Sequence, residues 1–147
     1  MYEKRKRNNM YTKIFTTLPQ ETKNIRIEVF MKEQGFENEF DDIDTISHHI
    51  VVFDEGKPIG TCRFFKENNH YTIGRVAVLK EYRNQHIGNL LLISAEKEIK
   101  KINGDLIVVH AQVRVSPFYK KQGYIQFGQI DDDEGVPHMW MKKRIQH

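Results

Sequence analysis

Residues 75–91 read Arg75-Val76-Ala77-Val78-Leu79-Lys80-Glu81-Tyr82-Arg83-Asn84-Gln85-His86-Ile87-Gly88-Asn89-Leu90-Leu91, and their order decides the fold. An apolar run of strand character ends in a short, polar, basic loop that opens at once into an amphipathic helix. The first N–H groups of such a helix have no intrahelical acceptor, and the helix dipole adds partial positive charge, so the junction favours an anion. Arg83 stands where a full charge can join the partial ones. The ligand to look for therefore carries phosphate.

Downstream, Ile87, Leu90, Leu91, Ser94, Ala95, Ile99 and Ile102 recur at three- and four-residue steps, predicting a helix over 86–102 stopped by Asn103-Gly104. Leu106–Ala111 is almost wholly apolar, as a strand covered on both faces is. A short helix around Ser116–Gln122 ends at Gly123, and Tyr124–Gln129 and His138–Lys143 read as two strands joined by an acidic loop. Upstream, Ile50–Phe53 and Ile59–Phe65 flank the turn-forming Asp54–Pro58 as a hairpin, and His70–Leu79 is a third long strand. Met10–Phe15 alternates as a first strand, and Pro19 opens a helix whose apolar face, Ile25, Val29 and Phe30, runs to Gly35. The stretch from Glu33 to Asp44 is irregular and acidic. The order of elements describes a mixed α/β layer in which helix 86–102 links two neighbouring parallel strands by a right-handed crossover.

At 147 residues, without repeat or linker, the chain suits one domain over 10–147 behind a basic extension, 1–9. Its hydrophobic and charged shares, 39% and 29%, are those of a soluble globular protein. No apolar run approaches the roughly 20 residues of a membrane helix, and no signal-peptide core follows the charged start, so a cytoplasmic location is expected and no membrane partner. A net charge of +3 is too mild to argue for nucleic acid, and Lys4–Arg7 lacks interleaved aromatics and reads as a solvated tail. Cys62 cannot form an internal disulfide and reads as a small buried side chain. His48 and His49 point to opposite sides of a strand and no Cys/His pair has ligand spacing, so no metal is expected.

With the elements in this order the chain resembles the GNAT superfamily of N-acetyltransferases, from about Met10 to Ile145. Val76-Ala77-Val78 followed by Arg83-Asn84-Gln85-His86-Ile87-Gly88 is similar to the family pattern Arg/Gln-x-x-Gly-x-Gly/Ala. Ser116-Pro117-Phe118-Tyr119-Lys120-Lys121-Gln122-Gly123-Tyr124 matches its late Phe/Leu-Tyr-x-x-x-Gly-Phe/Tyr signature. Glu28–Gln34 with His49, His110-Ala111-Gln112 and Pro137-His138 resembles a bacterial branch of the family. His86 departs from the pattern, where a glycine lets the backbone close on a pyrophosphate; a histidine is tolerable there if its dihedrals are ordinary helical ones and its ring points outward, and binding is expected to survive on Gly88 and the remaining N–H groups.

The resemblance implies a mixed sheet of about six to seven strands, splayed between the fourth and fifth and flanked by about four helices. It implies acetyl-CoA as cosubstrate, with the pantetheine arm along Val76, Ala77 and Val78. The pyrophosphate would lie on the amides of Arg83, Asn84, Gln85, His86, Ile87, Gly88 and Asn89, and Gln112 would contact the cofactor. The reaction implied is acetyl transfer to a primary amine of a small molecule or peptide by direct attack in a ternary complex. The other reading is a CoA-binding regulatory module without turnover, and a homodimer is possible in this family. Acetyl transfer needs a base for the acceptor ammonium, donors for the oxyanion and an acid for the leaving thiolate. Tyr119 occupies the acid's position in the family, unless it only packs. His110, Glu33 and His138 compete as base, and Glu33 and His138 are candidates to bind the acceptor; Arg63 either binds a carboxylate or phosphate on the acceptor or makes a surface ion pair. The acidic runs Glu37–Asp44 and Asp131–Glu134 would attract a cationic amine, or are simply solvated loops.

Overall fold

Ile50, Val51, Val52 and Phe53 are consecutive and all buried, which a strand allows only when both of its faces are covered. The computed structural model, which describes residues 9–37 and 39–145, places that strand inside a seven-stranded sheet. The strands are β1 (Met10–Phe15), β2 (His48–Asp54), β3 (Lys57–Glu67), β4 (His70–Val78), β5 (Leu106–Gln112), β6 (Ile125–Asp133) and β7 (Val136–Arg144), in the order β1-β2-β3-β4-β5-β7-β6. Every neighbouring pair is antiparallel except β4 and β5, which run parallel. Among the described residues three α-helices flank the sheet, where about four were expected: α1 (Gln20–Arg26), α2 (Ile87–Lys101) and α3 (Ser116–Lys121). The basic cluster Lys4–Arg7 lies outside the described residues, and among those described no helix is long and apolar enough to cross a membrane.

Helix α2 buries Ile87, Leu91, Leu92, Ala95 and Ile99 on one face of the sheet, in a cluster with Ile50, Phe64, Ile73 and Ile107. On the other face Ile25 of α1, with Val29, Phe30 and Phe36 beyond the helix, packs against Ala77. Each fully buried side chain of this kind is worth about 1.5–3 kcal/mol, so the two clusters hold the helices to the sheet from both sides. Cys62 is buried beneath α2 and burial pushes its thiol up to about 12, so it acts as a small core residue.

Several elements differ from their sequence reading for local reasons. Pro19, in extended conformation, precedes α1 rather than opening it. Beyond Arg26 the helix widens into a π-helix over Ile27–Glu33, with the Gln34 amide donating to Val29 O, and Gly35 at φ 81° ends it. Glu55 and Gly56 both have positive φ, so the first hairpin closes in a two-residue turn and its strands reach Asp54 and Lys57. Glu134 and Gly135 turn in the same way. The acidic run before them is therefore not a loop: Asp131, Asp132 and Asp133 pair with His138, Pro137 and Val136 on the edge of the sheet. A register shift between Phe127 and Asp131, with Gly128 at φ 71°, lets β6 continue that far.

Candidate active site

The parallel ladder between β4 and β5 is short. Tyr71, Thr72 and Ile73 face Ile107, Val108 and Val109, and pairing stops there. Immediately beyond, β4 carries a bulge against β3 in which Arg75 adopts φ 52°, and the strand is turned away from β5. The expected splay between the fourth and fifth strands is thus in place. It opens a cavity of about 650 Å³, with Val76 and Val78 on one wall, His110, Gln112 and Tyr119 on the other, and Glu33 and Gln34 at the end of the π-turn. Ala77, also on the wall, turns its methyl group to the α1 side of the sheet.

The basic loop lies at one end of this cavity. After a 3-10 turn at Lys80–Tyr82, Arg83 is extended, and Asn84 and His86 both have φ 64°. His86 precedes α2 with φ 64° and ψ 23°, so the condition of ordinary helical dihedrals is not met, while its side chain is exposed. A left-handed backbone is one that glycine adopts freely, and a histidine holds it here at a cost of about 1–2 kcal/mol. No side chain caps α2; its first intrahelical bond runs from Leu90 N to His86 O, which leaves the amides of Ile87, Gly88 and Asn89 without intrahelical acceptors. Gly88 lies beside the Phe118 ring of α3, where a Cβ would make an ordinary van der Waals contact at 3.4 Å. His86, Gly88, Asn84 and Asn89 all line the cavity; Gln85 is exposed and reaches back to the Glu81 carbonyl.

Tyr119 is buried between Phe118 and Tyr124 in edge-on contacts, yet borders the cavity. Burial drives its phenol well above the ordinary value, so it stays protonated throughout the neutral range. Opposite registers on β5 and β7 set His110 against Trp140 and Gln112 against His138. The His110 ring stacks on Trp140 at 4.2 Å, lies 4.8 Å from the His138 ring, and Nε2 sits 2.7 Å from Asp131 Oδ1. That hydrogen bond holds the Asp131 carboxyl below its usual range. His138 is buried, with Nδ1 2.8 Å from the Val136 carbonyl; an acceptor there requires a proton on Nδ1, so the neutral tautomer it selects carries its lone pair on Nε2. Gln112 donates to Gln34 at 3.0 Å and ties the end of β5 to the π-turn.

Glu33 is held by Arg83 in a bidentate pair, at 2.5 and 2.7 Å. The Arg83 hydrogen bond lowers the Glu33 carboxyl, which makes it a poorer base than a histidine.

Arg63 is not among the residues lining the cavity; of its two readings the structure shows the ion pair, and that pair is buried rather than on the surface. Its Nη1 lies 2.7 Å from Asp41 and 2.9 Å from Asp44, and Asp44 also takes Arg26 at 2.8 Å. Arg75 joins through Glu39 at 2.8 Å, and the Arg26 guanidinium also reaches the Glu39 carbonyl. Burial by itself would raise the Asp44 carboxyl, but the guanidiniums of Arg26 and Arg63 hold it at about 2. Of the run Glu37–Asp44, Glu39, Asp41 and Asp44 are therefore spoken for by arginines of the protein itself, while Glu37 and Asp42 stay exposed. His49, buried beside this network, bonds the Asp44 carbonyl, and burial lowers its pKa; His48 stacks on Phe64. Sequence reasoning missed Gln34, Arg75 and Trp140 and read Asp131 only as part of an acidic loop, because cross-strand register and the π-turn bring them to the site and neither has a local signature.

A family model described as "Acetyltransferase (GNAT) domain" matches residues 16–145. The chain is 35% identical over 122 residues to the uncharacterized N-acetyltransferase YjcF of Bacillus subtilis, covering 81% of this chain and 87% of that one. It is 32% identical over 130 residues to the B. subtilis protein YyaT, covering 85% and 88%. Among solved structures, Escherichia coli ElaA superposes with a TM-score of 0.83 at 21% identity, covering 91% of this chain and 99% of that one. An aminoglycoside 6'-N-acetyltransferase in complex with coenzyme A superposes with a TM-score of 0.73 at 15% identity, covering 93% and 98%. The last two establish likeness of fold.

Proposed function

Because the chain belongs to the GNAT family of acetyltransferases, we propose that it moves an acetyl group from acetyl-CoA to a primary amine by direct attack in a ternary complex. The observation that carries this reading is the opening between β4 and β5 beside the uncapped start of α2, one cavity that also contains Tyr119, His110 and His138. The β4 edge at Val76 and Val78 faces the opening and would pair with a pantetheine arm as an added strand once the Val78 carbonyl is released by Arg83 Nε, and an amide near Val78 would stabilise the oxyanion. The pyrophosphate lies on the amides that follow Arg83. Each helix-terminus contact is worth about 0.3–2 kcal/mol, so affinity is the sum of many. Gln112, on the opposite wall, contacts the cofactor's amide-bearing arm.

The Nε2 lone pair of His138 takes the acceptor's proton, with His110 the alternative; Asp131 and Trp140 fix the His110 ring. Tyr119 returns a proton to the thiolate, since burial keeps its phenol protonated above pH 10. A screen of amines with acetyl-CoA tests this. Tyr119→Phe lowers kcat by about 10²-fold, and wild-type kcat/KM shows no descending limb from this group below about pH 10. A Tyr119→Phe enzyme as fast as wild type at every pH would remove the acid. Saturable CoA binding without turnover of any amine would leave a binding module instead.

A further inference from the structure

Arg83 is held at three points, and each belongs to a different part of the proposed reaction. Nη1 and Nη2 donate to Glu33 Oε2 and Oε1 at 2.5 and 2.7 Å, and Nε donates to the Val78 carbonyl at 3.0 Å. Val78 ends the strand edge offered to the pantetheine arm, Arg83 leads the loop offered to the pyrophosphate, and Glu33 faces the same cavity from the end of the π-turn. In the free protein one guanidinium thus bridges the cofactor side and the helix α1 side. The pair is open to exchange: the two side chains are 35% and 34% exposed, and a diphosphate offers the same fork geometry with more charge than one carboxylate.

Resting on the CoA reading above, we infer that Arg83 changes partners when the cofactor enters. It leaves Glu33 and the Val78 carbonyl for the pyrophosphate, and the freed Glu33 carboxylate becomes the counter-ion of a cationic acceptor amine. The one pair opposes the cofactor and conceals the anchor of the acceptor.

A single substitution then acts with opposite signs on the two ligands. Glu33→Gln removes the competitor for Arg83, so the Kd for CoA measured by calorimetry falls about three- to tenfold, while the KM for amine acceptors rises. Arg83→Gln weakens CoA binding, and adding Glu33→Gln to it brings no further gain, since the partner to be released is gone. Unchanged or weaker CoA binding in Glu33→Gln overturns the exchange. So does a gain of equal size without Arg83, which would reduce Glu33 to general repulsion of the phosphates. A wild-type protein that binds no CoA removes the functional reading and this inference together; one that binds, with Glu33→Gln inert, removes this inference alone.

Discussion

Two sets of arginine–carboxylate pairs lie on the same side of the sheet, and they behave in opposite ways. Arg26, Arg63 and Asp44 are buried to 0%, 4% and 4% exposure, and their pairing fixes the 39–45 segment under α1. Arg83 and Glu33 make a pair of equally good geometry with about a third of each side chain in water. Removing one partner from the first set strands a charge that water cannot reach. Removing one from the second hands the survivor to solvent or to a ligand. Burial, more than distance, separates an ion pair that builds the site from one that can work within it.

The sharpest test of that contrast is Asp44→Asn, which leaves Arg26 and Arg63 short of their shared carboxylate. It is expected to lower the unfolding free energy in urea by about 3–5 kcal/mol. A cost below 1 kcal/mol would put the buried network in the same class as the exposed pair. The same group sets an acid limit. The Asp44 carboxyl is at about 2 in the folded protein against an ordinary 3.8, so the unfolded chain takes up its proton first as the pH falls. Its contribution is full above about pH 4 and is lost as the pH drops through about 2, and Asp44→Asn flattens that part of the stability profile.

Glu33→Gln is the counterpart at the cavity, and its effect on stability is expected to be no more than about 1 kcal/mol, shrinking in high salt. A loss as large as that of Asp44→Asn would mean that the Arg83 pair is structural and not free to exchange. The smallest effect belongs to the loop itself. His86→Gly relieves a left-handed backbone and is expected to raise stability by about 0.5 kcal/mol, because glycine's greater freedom when unfolded offsets part of the strain. A destabilised His86→Gly protein would show that the histidine side chain makes a contact worth more than the strain.

The regular elements were legible because their periods are local. Helix 86–102 and strand 106–111 lie within a residue or two of their predicted bounds, and the junction at 79–89 is the strand–loop–helix that its residues describe. The π-turn over 27–33 was not legible, since its residues suit an α-helix equally well. Arg26 and Arg63 look like surface residues until partners far along the chain, at 39–44, are folded over them. Asp131–Asp133 read as a loop because aspartate disfavours strands, yet an exposed edge strand paired only with β7 tolerates them. The histidine pair at 110 and 138 was found one residue at a time. Its juxtaposition, and the Asp131 and Trp140 contacts that orient it, depend on the β5–β7–β6 register.

All of these assignments depend on the gap between β4 and β5 being a coenzyme site. Titration of the wild-type protein with coenzyme A in a calorimeter tests that directly. Saturable one-to-one binding well below millimolar, weakened by Arg83→Gln, is the expected result. No heat at millimolar coenzyme A, with no competition against acetyl-CoA, would contradict it.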